Sequence, residues 1–138
     1  MCDGVATFVG VRSWAIMPKP ANFPQGRCYN LLAPREMSVG ARASETMILG
    51  FTVIVPEGFV GFFEPNTSYN DVLNLKLTAP NLRPGGFATR NPFRVFMCNR
   101  SDTSFRIEKN EFLGIIYFIQ DDYIGQYIPH TRWLRSGR

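Results

Sequence analysis

The spacing of proline and glycine constrains the fold of this chain more than any other feature of the sequence. These residues divide it into short runs rich in β-branched and aromatic residues, and almost no stretch between them has helical periodicity. The runs predict strands over residues 5–11, 46–55, 59–63, 72–78, 93–98, 105–107 and 112–119. Roughly seven or eight strands at this spacing are typical of a β-sandwich or barrel, so we expect an all-β fold.

Three of the runs carry patterns that predict which residues are buried. In 93–98 every second residue from Phe93 is apolar, which predicts one buried and one exposed face. In 72–78 leucines recur at alternate positions from Leu73 and predict the same arrangement. The run 112–119 is almost continuously apolar, which is typical of a strand covered on both faces.

Turn residues predict the connections between the runs. Pro56-Glu57-Gly58 separates two strand-like runs and predicts a hairpin that pairs 46–55 with 59–63. The proline-rich stretch 18–26 predicts a loop. The stretch 79–92, with three prolines and two consecutive glycines, predicts a long loop of the kind that often carries function.

Length and composition predict one compact domain. The chain has 138 residues, of which 45% are hydrophobic and 19% charged, and a chain of this length can bury a core without disulfides or metals. We expect the domain to occupy residues 1–127 and a basic C-terminal tail to occupy 128–138. No apolar run approaches the roughly 18 residues of a membrane-spanning helix, and no secretory leader pattern opens the sequence, so an intracellular protein without a membrane segment is expected.

Cysteine and histidine are too few for most metal or redox chemistry. Cys2, Cys28 and Cys98 show no C-x-x-C spacing, which argues against a disulfide framework and against a thiolate metal site. The single histidine, His130, argues against multi-histidine metal sites and catalytic triads. We therefore predict neither metal ligands nor a cofactor.

Positive charge is concentrated in the second half of the chain. Residues 1–70 carry five Lys/Arg and five Asp/Glu, whereas residues 71–138 carry ten and six, which accounts for the net charge of +4. Arginine and aromatic side chains supply much of the energy of protein interfaces, although arginines can equally solvate a surface and phenylalanines can equally cap the core. The candidate interaction residues are Arg83, Phe87, Arg90, Phe93 and Arg94 in the Pro/Gly-rich stretch, and Arg132, Trp133 and Arg135 in the tail.

The order of short motifs resembles the trimeric dUTPase family and its dUTPase-related viral relatives. Tyr-x-Leu at 29–31 is followed by Val-Pro-x-Gly at 55–58 and by a Gly-aromatic strand that runs into Pro-x-Thr at 65–67. Further on, a strand ending in Asn99 precedes the segment 105–114, which is similar to the family's Phe-x-Val-x-x-Gly-Asp-x-[Ile/Leu]-[Ala/Gly] pattern. The resemblance covers about residues 26–120 and implies a dUTPase-like distorted β-barrel or jelly-roll sandwich that forms a homotrimer.

The residues with which that family performs catalysis are largely replaced. Family enzymes split a nucleoside triphosphate by attack of water on the α-phosphorus, helped by magnesium, and this requires acidic side chains. The resemblance places Asn30 where the first motif has its carboxylate, and Asn66 where the second has a phosphate-facing arginine. The second motif keeps a hydroxyl at Thr67 but has Ser68 in place of glycine. A neutral amide cannot accept the proton or replace a bidentate guanidinium.

The third and fourth motifs are altered as well. The third falls on the stretch around Gly85 and Gly86, and no Asp, Glu or Tyr lies between Lys76 and Asp102 to supply its catalytic aspartate and stacking tyrosine. The fourth keeps an acid, Glu111, but lacks its arginine. The family's Gly/Ser-rich tail, which closes over the nucleotide, has no counterpart.

These losses, with an intact pattern of strands and turns, favour a catalytically inactive dUTPase-like viral protein that acts by protein–protein interaction. The resemblance implies a host or viral protein as partner and a location in the host cytoplasm or nucleus. PDZ-binding relatives end in a short apolar motif, whereas this sequence ends in Gly137-Arg138, so no PDZ-type C-terminal motif is expected.

Two alternatives remain open from the sequence. One is a divergent but active dUTP or nucleotide pyrophosphatase that uses Glu64, Asp71 or Glu111 as replacement acids. The other is a virion structural or nucleic-acid-associated β-sandwich protein that uses the tail 128–138. Three tail arginines make a weak, salt-sensitive contact with phosphates, so nucleic acid is the less expected partner.

Overall fold

The computed structural model describes residues 7–21, 28–86, 89 and 91–120. Within these ranges the chain is built mainly of strands, with one short helix. In chain order the elements are β1 (Thr7–Gly10), β2 (Lys19–Pro20), β3 (Cys28–Leu32), β4 (Met37–Val39), β5 (Ser44–Ile48), β6 (Phe51–Ile54), β7 (Phe59–Pro65), α1 (Thr67–Leu73), β8 (Leu75–Thr78), β9 (Arg94–Asn99), β10 (Phe105–Ile107) and β11 (Phe112–Gln120). No helix in the described ranges has the length and apolar character needed to cross a membrane.

Two larger antiparallel sheets and two strand pairs make up the fold. One sheet has the strand order β2-β3-β11-β7 and the other has the order β5-β9-β8. β1 pairs with β6, and β4 pairs with β10. The predicted all-β sandwich is confirmed, and across the described residues the strands do not close into a complete barrel.

Apolar side chains from both sheets fill the core between them. β9 alternates as predicted, since Val95 and Met97 are buried whereas Phe96 is exposed. The rings of Phe51 and Phe93 stack with their centroids 5.8 Å apart, deep in the core. Stacked and edge-to-face aromatic pairs of this kind stabilise a core beyond the area that they bury.

The central strand β11 brings together the segments that form the candidate site. It pairs with β3 on one side and β7 on the other, with a register shift between Phe112 and Gly114. A Cβ at Gly114, where φ is +154°, would collide with the carbonyl oxygen of Glu64, so the close approach requires glycine. Leu113 at this bulge is buried, and its carbonyl oxygen accepts a hydrogen bond from the Asn66 backbone N–H at 2.9 Å.

The predicted strand 46–55 is interrupted at Gly50. β5 ends at Ile48 and pairs with β9, whereas β6 begins at Phe51 and pairs with β1. Gly50 has a φ of +83°, and a Cβ at this position would come within 2.9 Å of the Trp14 ring. A glycine with positive φ lets the chain leave one sheet and enter another.

The predicted turn after β6 forms, but the predicted hairpin is wrong. The Phe59 N–H donates to the Pro56 carbonyl at 3.2 Å, and Gly58 has a φ of +86°. β7 nevertheless pairs with β11, because Gly61 lies opposite Phe118 and its missing side chain makes room for that ring. The local turn chemistry was therefore a correct guide to the turn and a poor guide to the pairing.

The first half of the predicted strand 72–78 is helical, which corrects that prediction. Only the second half forms β8, where Leu75 is buried as expected, and Leu73 is exposed at the end of α1. The Asn66 side chain caps the start of α1, and Asn74, with a φ of 58°, ends it in the left-handed conformation. Asparagine is favoured at both kinds of helix end.

Some predictions about the chain's organisation fall outside the described residues. The domain boundary after residue 127 and the basic tail 128–138 stay predictions for this reason. In the proline-rich stretch 18–26, Lys19 and Pro20 form the short strand β2 rather than loop, because they pair with β3.

Candidate functional site

Asn66 has a structural task at the start of α1. Its Oδ1 accepts hydrogen bonds from the Ser68 backbone N–H at 3.2 Å and from the Ser68 hydroxyl at 2.7 Å. Its Nδ2 donates to the Phe112 carbonyl oxygen at 3.1 Å. One amide thus caps the helix and ties it to β11, and both of its polar atoms are engaged.

Glu111 is engaged in a similar way. One carboxylate oxygen accepts the Tyr69 hydroxyl at 2.8 Å, and the other accepts the Glu108 backbone N–H at 2.7 Å. Burial raises the pKa of Tyr69, and the hydrogen bond to Glu111 and its negative charge raise it further. Tyr69 therefore stays protonated and holds α1 to the turn before β11 as a hydrogen-bond donor.

Asn30 lies in a row of side chains that crosses the four-stranded sheet. Its cross-strand partners are Lys19 on β2 and Ile115 on β11, and Ile115 in turn pairs with Glu64 on β7. Asn30 and Glu64 are thus two strands apart, about 10 Å in a sheet of ordinary spacing. An apolar residue separates the amide from the one acid in this row.

The residues at the motif positions do not fit a magnesium–triphosphate. Magnesium is held by carboxylates and water, and Asn30 supplies neither charge nor proton acceptor while Glu111 is engaged on both oxygens. Within the ranges that the structure describes, no group of three or more His, Cys, Asp or Glu side chains could hold a metal ion.

A pocket of about 280 Å³ lies between α1 and β8. Thr67, Asn70 and Asp71 line it from the helix, at the i, i+3 and i+4 positions that share one helix face. Lys76 and Arg100 line it as well, so two cations and one carboxylate meet there. The volume lies near the lower limit for small-molecule sites, which are usually larger than roughly 300 Å³.

The three candidate replacement acids do not converge. Asp71 lines the pocket, whereas Glu64 lies on β7 and Glu111 binds Tyr69. Asn66 and Thr67 do line the pocket. Of the three candidate acids, only Asp71 therefore lies in the same pocket as these two residues of the predicted second motif. A pair of acids for general acid–base chemistry is not formed by these three residues.

The loop predicted over 79–92 is anchored at its start. Leu82 is buried and exchanges two backbone hydrogen bonds with Gly61, both 2.8 Å long. The Thr89 hydroxyl donates to the Arg83 carbonyl at 3.1 Å and to the Gly86 carbonyl at 2.8 Å. These bonds fold the segment back on itself around a turn that includes Gly85, where φ is +68°.

The structure divides the candidate interaction residues into three groups. Arg83 and Arg94 are exposed. Phe93 is 2% exposed and stacks on Phe51, so it caps the core, and its prediction as a surface contact is corrected. The remaining candidates, Phe87, Arg90, Arg132, Trp133 and Arg135, lie outside the described residues.

Sequence reasoning missed the bond between Tyr69 and Glu111. The two residues are 42 positions apart, and nothing in the spacing of either one indicates the other. The asparagine at 66 followed by Thr67 and Ser68 was a readable sign of a helix start, because these residue types favour N-cap positions.

Comparisons with known proteins identify the fold. No protein-family model matches the sequence, and no curated protein matches it. A variant of the Staphylococcus bacteriophage 80alpha dUTPase with dUpNHpp is similar with a TM-score of 0.71 and 15% identity, over 84% of this chain and 82% of that chain. A second variant of the 80alpha enzyme is similar with a TM-score of 0.72 and 15% identity, over 87% of this chain and 85% of that chain. A variant of the dUTPase from phage phi11 of S. aureus is similar with a TM-score of 0.71 and 12% identity, over 84% of this chain and 90% of that chain. The chain thus has a dUTPase-like fold.

Proposed function

We propose that this chain is a catalytically inactive protein with a dUTPase-like fold that acts by binding another protein. The observation that carries the proposal is the use of Asn66 and Glu111 as structural ties of α1 to β11 and to the turn before it. A side chain that already satisfies its hydrogen bonds within the fold is a poor ligand for phosphate or catalytic water.

The expected loss of activity follows from the number of groups replaced. Removal of a single required group usually lowers the rate by several orders of magnitude. Here Asn30, Asn66 and the stretch around Gly85 each depart from the pattern of the family that the chain resembles. We expect turnover of dUTP no faster than in buffer, with no metal or cofactor required for folding.

The proposed partner is a host or viral protein that contacts the segment from Arg83 to Arg94. Arg83 and Arg94 are exposed there, and Phe87 and Arg90 lie between them in sequence. The basic tail, through Arg132, Trp133 and Arg135, is proposed as a second contact. Arginines beside aromatic residues are frequent among the residues that dominate interface energies.

We also propose that the protein is a homotrimer, as the family resemblance implies. Exposed apolar side chains on the outer faces of the sheets support self-association. Phe96 is exposed on β9, and Phe62 stacks on Tyr117 on the outer face of the four-stranded sheet with ring centroids 5.5 Å apart. Native mass spectrometry should give three times the 15.7 kDa chain mass; a monomer at micromolar concentration contradicts the proposal.

We propose that this chain is a relative of the dUTPase-related product of adenovirus early region 4, which the sequence resembles in length and layout. We therefore propose an early viral protein that works in the host cytoplasm or nucleus. Imaging of the tagged protein in infected cells, with sampling from the first hours of infection, tests both the timing and the location.

The central test combines an activity assay with partner capture. Purified protein is incubated with dUTP and magnesium beside a phage dUTPase, and release of pyrophosphate at enzyme-like turnover overturns the proposal. Partners are then recovered from cells with the wild type, with a triple alanine variant at Arg83, Arg90 and Arg94, and with a matched triple alanine variant at Arg42, Arg100 and Arg106. Loss of a partner with the first variant alone supports the proposed surface.

A divergent nucleotide pyrophosphatase is the second candidate. The pocket beside Thr67 favours it, because Asp71 meets Lys76 and Arg100 there. The solved structures similar to this chain are of proteins named dUTPases. If dUTP is hydrolysed and Asp71→Asn abolishes the hydrolysis while Glu64→Gln does not, this candidate replaces the first.

A further inference from the structure

The outer face of the β1–β6 pair collects exposed apolar side chains. Among the described residues, four of the nine large hydrophobic residues that are exposed lie here, and we call this face the Trp14 surface. Its members are Val9 (41% exposed), Val11 (43%), Trp14 (38%) and Ile54 (55%). Concentrations of this kind on a protein surface mark sites of interaction.

The strand register places three of the members side by side. Ile54 lies opposite Thr7, and Thr52 lies opposite Val9. Cross-strand partners share a face of the sheet, and Val11, two residues beyond Val9, continues the same face.

Trp14 extends this face beyond the end of β1. The Val11 N–H donates to the Gly50 carbonyl at 2.8 Å, which continues the ladder by one step. The six-membered ring of Trp14 covers the position that a side chain of Gly50 would occupy. The Arg35 guanidinium carbon lies 5.0 Å from the centroid of the Trp14 ring. The indole is thus held in place before any partner arrives, which lowers the entropic cost of binding.

The rim of the Trp14 surface is basic. Arg12 follows Val11 directly, its backbone N–H donates to the Gly50 carbonyl at 3.0 Å, and its side chain forms no ion pair with a described residue. Arg35 adds a second positive charge over the Trp14 ring. Its neighbour Glu36 does not neutralise it, because that carboxylate is bound to Arg106 at 2.6 Å.

We propose that the Trp14 surface docks an acidic segment of a partner protein that carries an apolar or aromatic residue. The inference rests on the proposed function, in which the chain acts by binding another protein. The apolar members supply the contact area, and the cations of Arg12 and Arg35 attract and orient an acidic chain.

Titration of the full-length, isotope-labelled protein by NMR tests the proposal. The probe is a synthetic peptide in which Asp and Glu alternate with Phe and Leu, and the matched control peptide has Lys in place of the acids. We expect the acidic peptide alone to shift the Trp14 indole N–H signal and the methyl signals of Val9, Val11 and Ile54. Shifts confined to other signals, or equal shifts with both peptides, overturn the proposal.

Three variants locate the binding energy. Charge reversal by Arg12→Glu should weaken the binding of the acidic peptide by roughly tenfold at unchanged melting temperature. Ile54→Thr should also weaken it, whereas Val72→Thr, which changes a 75% exposed valine on α1, should not. Undiminished affinity in the charge-reversed variant overturns the proposal.

Other occupants of the Trp14 surface give distinct results. Shifts of the same signals with protein concentration alone assign the surface to self-association, and retention on phosphatidylserine vesicles without peptide binding assigns it to a membrane; either result overturns the proposal. Hydrolysis of dUTP overturns the proposed function whatever the peptide does. If the protein does not hydrolyse dUTP and the charge-reversed variant still binds the cellular partner, the docking proposal is overturned and the proposed function is not.

Discussion

The hydrogen bond between Tyr69 and Glu111 makes a quantitative prediction possible. Tyr69→Phe removes one hydroxyl from a buried position and leaves the ring, which packs edge-to-face on Phe105 with centroids 6.0 Å apart. A hydrogen bond to a charged acceptor contributes about 1.5–3 kcal/mol to stability. Because Glu111 is only part-buried and can turn to water, we expect a loss near the lower value, about 1.5 kcal/mol, or about 5 °C in melting temperature.

Urea unfolding followed by circular dichroism at neutral pH measures this loss. Tyr117→Phe is the matched control, since the Tyr117 ring stacks on Phe62 and its hydroxyl has no hydrogen-bond partner among the described residues. The control should change stability by less than about 0.5 kcal/mol. If Tyr69→Phe is no more destabilising than Tyr117→Phe, the bond does not tie α1 to β11, and the structural role of Glu111 is refuted.

Alkaline pH gives a second measure of the same bond. Burial and the hydrogen bond to Glu111 raise the pKa of Tyr69 above its ordinary value of 10.0, so the unfolded chain ionises first as pH rises. The corresponding stability is complete below about pH 10 and is lost progressively as pH rises from there through the raised pKa of the folded state. Burial and the charge of Glu64 raise the pKa of Tyr117 in the same direction. Tyr69→Phe should therefore flatten the alkaline loss of stability in part, and an unchanged alkaline slope refutes the reasoning.

Three further substitutions test other parts of the fold. Asn99→Leu should lower the free energy of unfolding, measured in urea, by at least about 3 kcal/mol. The buried Asn99 amide donates to three carbonyls and accepts from the Ser101 N–H and hydroxyl. Ser101→Ala should lower the free energy of unfolding by less than half as much. Gly50→Ala should cost about 1–3 kcal/mol and change the Trp14 fluorescence, since it strains a positive φ and displaces the ring; unchanged stability contradicts this account. Asn66→Arg should lower the free energy of unfolding by about 1 kcal/mol, because the helix cap is lost, and should not restore dUTP hydrolysis. A gain of stability or of dUTP hydrolysis contradicts the structural role of Asn66.

The strands were predictable where burial itself sets the pattern. β9 alternates because one of its faces packs in the core. β11 is buried on one face, at Ile116 and Phe118, and half-buried on the other, at Ile115 and Tyr117, so the predicted burial on both faces is met on one face only. The partner of β7 was not predictable from the Pro56 turn, since the choice depends on the fit of Gly61 to Phe118, far away in sequence. Packing between residues that are far apart in sequence does not change the local pattern of apolar and polar residues from which strands are predicted.

The helix α1 escaped prediction for a different reason. It has one buried residue, Tyr69, so no apolar stripe marks it, and its ends are set by the asparagines at 66 and 74. At the candidate site, the family resemblance predicts which charged groups are replaced. It did not indicate that Asn66 and Glu111 are used for structure, because their partners come from backbone atoms and from a residue distant in sequence.

The attachment of the loop 79–92 has a consequence for engineering. At one end Leu82 is fixed by two hydrogen bonds to Gly61, and at the other Phe93 is fixed by its N–H to the Phe51 carbonyl at 2.8 Å. The residues between these points connect two rigid supports, as an antibody loop does on its framework. This segment is therefore a natural insertion point for foreign epitopes, and a grafted peptide there would be displayed while both sheets keep their pairing.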